Sequence, residues 1–151
     1  MEGDWDAPPA VPGRVLALDL GSVRVGVAVS DPSRRMAFPR DVLRRHPEAQ
    51  LLGRLASMVS DEDVALVVVG LPLHLSGAAS SGSRDAESFA GRLRERIAVP
   101  VQMCDERLTT VDAEALLLEG DTTRRRRRGV RDKVAATLLL ESFLRESEQG
   151  G

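Results

Sequence analysis

A chain of 151 residues, 42% of them apolar, is sized for one domain around one core, which excludes a two-lobed machine that closes large domains over a cleft. No run of about eighteen apolar residues is present, so no segment is expected to span a membrane, and the lone Cys104 excludes an internal disulfide or a cysteine-rich zinc knot. The net charge of −2 is uneven, with acidic ends, a basic body and a concentration of arginine in 124–133, where Lys133 is the chain's one lysine among 21 basic residues.

Residues 1–12, with Pro8, Pro9 and Pro12 and no basic start, read as a disordered leader and not a secretory signal, so a cytoplasmic protein is expected. The body, 13–145, reads as one domain, and 146–151 as a flexible tail. Val15-Leu16-Ala17-Leu18 is a continuous apolar run ending in Asp19, the pattern of a strand buried on both faces. After the Gly21-Ser22 turn, Val25, Val27 and Val29 alternate over Arg24 to Ser30, which predicts an antiparallel hairpin. Met36 to Val42 supplies a short third strand. Leu51, Leu52, Leu55, Met58 and Val59 recur at helical spacing after Pro47, which fits a first helical position, and His46 reads as the residue leading into that helix. Val64 to Val69 is a second fully apolar strand closed by Gly70. The small polar stretch 76–83 reads as a flexible loop, Asp85 to Ile97 as a helix, and Val99 to Cys104 as a strand. Thr109 caps a helix to Glu119, and a last helix is expected from near Asp132 to near Arg145.

This order predicts an α/β fold: a mixed five-stranded sheet, three antiparallel strands then two parallel ones, flanked by helices, with the first strand central. Ligands of such sheets bind at the carboxyl ends of the strands near the switch point, where Asp19 stands. Asp105 and Glu106 end the fifth strand, and a period of two sends them to opposite faces, so one of the two can join Asp19. Asp132 shares a helical stripe with Ala135, Ala136, Leu139, Leu140 and Phe143, which puts a carboxylate in the first turn of the sheet-facing side. Taken singly, each acid has a plainer reading as a turn, strand-end or helix-start residue. Together they predict crowded carboxylates whose repulsion a hard cation relieves, and oxygen ligands suit Mg²⁺ or Mn²⁺. Such ions activate water for phosphoryl displacement.

Arg124, Arg125, Arg126, Arg127 and Arg128 precede Asp132, and their adjacency favours phosphate binding over a merely solvated basic loop. Gly70, Leu71 and Pro72, followed by His74, form a candidate substrate loop. Gly70 taken alone reads as a strand-to-loop turn, and His74 is a candidate for leaving-group protonation. Cys104 reads as core. With Trp5, three phenylalanines and no tyrosine, a base-stacking platform of the RRM or OB type is not expected, and recognition is expected through backbone and shape.

Several segments together resemble the YqgF/RuvX family of bacterial pre-16S rRNA nucleases, also known as Holliday junction resolvases. They are Leu18-Asp19-Leu20-Gly21, Arg24-Val25-Gly26-Val27-Ala28-Val29-Ser30-Asp31, Val69-Gly70-Leu71-Pro72-Leu73, Asp105-Glu106-Arg107-Leu108-Thr109-Thr110 and Asp132-Lys133-Val134-Ala135-Ala136. They span roughly residues 14 to 145 in the family's order. The resemblance implies an RNase H-like fold, metal-dependent cleavage leaving a 5′-phosphate and a 3′-hydroxyl, and maturation of the 5′ end of 16S rRNA. By motif position Asp19, Glu106 and Asp132 take the places of the catalytic, metal-binding acids around two ions, with Asp105 the alternative to Glu106. Arg24, Arg107, the five arginines and Lys133 are the candidate nucleic-acid contacts. Val23 stands where the family usually has a basic residue, Arg131 where an apolar one is usual, and the arginine run is longer than typical.

The competing functions are a DNA endonuclease resolving four-way junctions, a binding-only ribosome-assembly factor, and a nucleotide-binding protein of the actin/sugar-kinase type, which would need a second domain. Symmetric junction cleavage needs a dimer, and no leucine heptad offers one, which favours a monomer acting on structured RNA.

Overall fold

The computed structural model describes residues 13–72, 81–106 and 124–150, with side chains described for all but Ser81, 124–133 and 148–150 of these. Strand β1 (Arg14–Leu20) turns tightly into β2 (Arg24–Ser30), which leads to β3 (Ala37–Arg44). Helix α1 (Glu48–Asp61), β4 (Val64–Leu71), α2 (Ser81–Arg94), β5 (Val101–Asp105) and α3 (Arg124–Gly150) follow. The sheet order is β3-β2-β1-β4-β5, antiparallel through β3-β2-β1 and parallel through β1-β4-β5. This is the mixed sheet with a central first strand that the sequence predicts.

Alternation divides the core into two layers. Leu16 and Leu18 of β1, Val25, Val27 and Val29 of β2, and Val67 and Val69 of β4 pack with α1 and α2. Val15, Ala17, Ala28, Val68 and Cys104 point the other way, onto Ala136, Leu139, Leu140, Phe143 and Leu144 of α3. Burial of each larger aliphatic contributes about 1.5–3 kcal/mol, and the apolar runs of β1 and β4 contribute to both layers at once. Among the described residues no helix is long and apolar enough to cross a membrane.

Several boundaries differ from the sequence expectation. Helix α2 begins at Ser81, not Asp85, because Ser83 is buried and Asp85 is already tied to Arg45. It stops at Arg94, short of Ile97, and the Arg94 guanidinium donates to the carbonyl of Val101 at 2.8 Å, pinning the helix end to β5. Strand β4 runs on through Gly70 to Leu71, so Gly70 is a strand residue and not a turn. Helix α3 begins eight residues before the expected start near Asp132, because arginine is a strong helix former and five in a row extend the helix. Asp132 therefore lies beyond the second turn of α3, and the helix-start account of its charge falls away. The helix expected over 109–119 lies outside the described residues.

Candidate active site

The two-layer alternation assigns the two acids at the end of β5 to opposite faces. Val101 and Met103 belong to the α1/α2 layer and Cys104 to the α3 layer. In β1, Val15 and Ala17 face α3, so Asp19 continues that face. Continued one residue past β5, the same period sends Glu106 to the face of Asp19 and Asp105 to the opposite one. The side chains agree: Glu106 and Asp19 are hydrogen-bonded to each other.

The bond spans an intervening strand. β4 lies between β1 and β5, Leu18 is level with Val69, and Cys104 is level with Gly70. A Cβ built on Gly70 would lie 2.6 Å from Cδ, 2.8 Å from Cγ and 2.8 Å from Oε1 of Glu106. The glycine is thus needed for space, since the Glu106 side chain crosses the position where any other residue would put its own. On the other side of Asp19 the register sets Gly26 of β2 directly beside it. Two acids therefore meet on a sheet face with glycine on both strands flanking Asp19. The Glu106 amide donates to the Leu71 carbonyl at 3.2 Å, which carries the end of β4 into the same arrangement.

Burial, above all, holds the Glu106 carboxyl well above the usual carboxylate range, and the hydrogen bond to Asp19 and the charges of Asp19 and Asp105 push it further up. Two carboxyl groups in contact accommodate one another by retaining a proton. A hard divalent cation is the other means of relieving the repulsion, and the donor set of two convergent carboxylates fits Mg²⁺ or Mn²⁺. Among the described residues no cluster of three such ligands forms. The Asp132 side chain lies outside them, as do those of Arg124 to Arg128 and Lys133, whose backbone α3 carries. Arg107 and His74 also fall outside the described residues. Arg24 opens β2 at the site end of the sheet, and Pro72 follows β4 directly.

Cys104 is buried in the α3 layer, and burial, reinforced by the charges of Glu146, Asp105 and Glu106, raises its thiol to about 11. It is a core residue, as its sequence position suggests.

One residue the sequence reading passed over is Arg45. Its side chain is 4% exposed, yet it binds Glu48 of α1 and Asp85 of α2, both at 2.9 Å, and its guanidinium lies 4.9 Å from the centre of the Phe89 ring. Glu48 in turn accepts two bonds from Arg92, and Arg92 first, then Arg45, lowers its pKa to about 2. The Arg45 amide also donates to the Val23 carbonyl at 2.8 Å, in the β1–β2 turn. The network ties that turn, the start of α1 and the start of α2 together at the site end of the sheet. The sequence signal was slight: an arginine three residues before a helix-start glutamate, with its other partner 40 residues away.

A family model described as RuvX, Holliday junction resolvase, matches residues 13–146. A protein of Roseiflexus sp. strain RS-1 named "Putative pre-16S rRNA nuclease" is 41% identical over 133 residues, covering 88% of this chain and 94% of its own. Proteins of the same name from Desulforudis audaxviator and Mycobacterium leprae strain Br4923 are 43% identical over 137 residues and 44% over 133. The alignments cover 91% of this chain and 97% of the first protein, and 87% and 72% for the second. Among solved structures, T. thermophilus RuvC in complex with a Holliday junction superposes with a TM-score of 0.56 at 14% identity, over 91% of this chain and 96% of that one. The Fowlpox virus resolvase superposes at 0.55 and 9% identity, over 89% and 98%. At these identities the likeness to both structures is one of fold.

Proposed function

The chain belongs to the RuvX, Holliday junction resolvase, family, and from that premise we propose that it is a divalent-metal-dependent nuclease that hydrolyses phosphodiester bonds in the precursor of 16S rRNA. The observation that carries this reading is the contact between the Asp19 and Glu106 carboxyls across the space left open by Gly70. Asp19 and Glu106 hold Mg²⁺ or Mn²⁺, and Asp132 completes the set from α3. A bound pair of such ions supplies an activated water and a clamp on the charge of an in-line displacement. The protein's part is positional. Asp19 is fixed by the central strand of the sheet, Glu106 is aimed by the register of β5, and Gly70 clears the space between them. Asp105, on the other face, adds negative charge at the same strand end. Arg24, Arg107, Arg124 to Arg128 and Lys133 bind the phosphates that flank the scissile one, in the fork geometry arginine offers phosphate oxygens. Residues 70–74, with His74, border the substrate. The relatives' names support an RNA substrate; acting on a ribosomal precursor, the protein works in the cytoplasm, and a monomer suffices for a single cut.

Incubation of the purified protein with a pre-16S rRNA fragment and with a synthetic four-way DNA junction, in Mn²⁺ and in EDTA, tests the reading. Cleavage of the rRNA fragment in Mn²⁺, its loss in EDTA, and loss of cleavage with retained binding in Asp19→Asn are expected. Cleavage that survives EDTA contradicts the proposal. Cleavage of the junction alone transfers it to branched DNA.

A further inference from the structure

Arginines continue along the sheet from the carboxylates towards its β3 edge. Arg24 opens β2 and Arg44 closes β3, and the register sets the two directly opposite each other. Alternation in β2, with Val25 and Val27 in the α1/α2 layer and Ala28 in the α3 layer, puts Arg24 on the face of Asp19. Two cations opposed on neighbouring strands destabilise a sheet. Here the pair stands at the site end, where Arg44 is exposed. From Arg44 a groove opens between the end of β3 and the start of α1, on the α1/α2 side of the sheet, so a nucleic-acid strand leaving the carboxylates on the α3 side reaches it over the site end of β2 and β3. Its polar lining is Arg44, His46, Gln50 and Arg54, with Leu43 and Leu51 beneath.

Two acids lie near this groove. Asp41 is 3.8 Å from Arg54, at the outer limit of an ion pair, and Arg54 stays 54% exposed. Glu48 is engaged by Arg45 and Arg92, so its charge is already matched by guanidinium groups outside the groove lining. The groove is therefore left with exposed guanidinium groups and an amide donor. That combination suits phosphate oxygens, and the chain's few aromatics offer no stacking platform for bases.

We infer that the β3–α1 groove is a second backbone subsite, in which Arg44 and Arg54 hold phosphates of the nucleic-acid substrate to one side of the scissile bond. Arg24, opposite Arg44 and on the face of the carboxylates, stands where the nucleic-acid strand would cross the end of the sheet. At about 4.8 Å per strand and about 3.3 Å per residue, Arg44 lies two strands across and two residues along from Asp19, about 12 Å between backbones. That distance is roughly three to four nucleotides at about 3.4 Å of rise each. The subsite rests on the nuclease reading above and extends it to the length of substrate engaged.

The test compares wild-type protein, Arg44→Ala/Arg54→Ala and Arg44→Lys/Arg54→Lys on two RNAs. One is long, and the other is trimmed to the nucleotides adjoining the cut. On the long RNA the alanine variant is expected to raise KM about tenfold, with kcat little changed and the salt dependence of binding shallower by about two contacts. On the trimmed RNA it behaves as wild type, and the lysine variant recovers most of the loss. Unchanged KM and salt slope on the long RNA, or equal losses on both, overturn the subsite. If the wild-type protein cleaves neither RNA, the nuclease reading fails instead. Fluorescence anisotropy on the same RNAs then decides the subsite by the same length dependence.

Discussion

The first hairpin carries an acid towards each end of the sheet, and the two acids live in opposite surroundings. Asp31, just past β2, is surrounded by donors. The amides of Arg35 and Met36 donate to its Oδ1, each at 2.8 Å, and the Ser33 hydroxyl donates to Oδ2. Those bonds, that of Ser33 first, lower its pKa to about 2. Asp19, near the end of β1, meets another acid, and Glu106 is driven the other way. Both aspartates fall in segments that match the family pattern, so the motif alone does not tell them apart. The surroundings do: an acid met by donors organises a turn, whereas an acid met by an acid stores repulsion that a cation relieves.

The contrast can be broken at its most sensitive point by Gly70→Ala. The added methyl collides with the Glu106 side chain at under 3 Å, and that side chain is what must give way. Nuclease activity is expected to fall about a hundredfold, with a stability loss of only about 1 kcal/mol, the low end for overpacking. Kinetics and thermal melting of the same preparation check it. Full activity in this variant would show that Glu106 needs no fixed position.

The reciprocal change, Asp31→Asn, is expected to lower stability by about 1 kcal/mol after allowance for solvent screening, and to leave kcat unaltered. Its pH signature follows from the direction of the shift. The folded-state pKa of Asp31 lies below its ordinary value of 3.8, so its contribution is complete above about pH 4 and disappears as the pH falls towards 2. Glu48, lowered likewise by Arg92 and Arg45, acts in the same window. Acid titrations of melting temperature should show wild type and Asp31→Asn converging as the pH approaches 2. A constant gap would mean that the carboxylate is not the source.

The strands were legible because a buried strand is written in residues whose alternation or continuity has one meaning. Val25, Val27 and Val29 could face only one layer, and the run from Val15 to Leu18 could only be buried on both faces. The helix ends were less legible because local composition and tertiary contact disagree there. Five consecutive arginines look like a loop by charge, although each is individually a good helix former, and the small residues before Asp85 look flexible until Ser83 is buried. Of the site, Asp19 and the strand-end acids were readable as candidates. Motif position favoured Glu106 over Asp105, but alternation alone left the two open, and which of them meets Asp19 needs the layer assignment of Cys104 and the space at Gly70. Arg45 was least legible of all, because nothing local distinguishes a guanidinium that will be buried from one that will be solvated.

Binding of Mn²⁺ to wild-type protein and to Glu106→Gln, measured by isothermal titration calorimetry without nucleic acid, tests most directly whether the paired acids form a cation site. Wild type is expected to bind the ion, and Glu106→Gln to bind it at least about tenfold more weakly while melting no lower than wild type without metal. Equal affinity in the two proteins would contradict it.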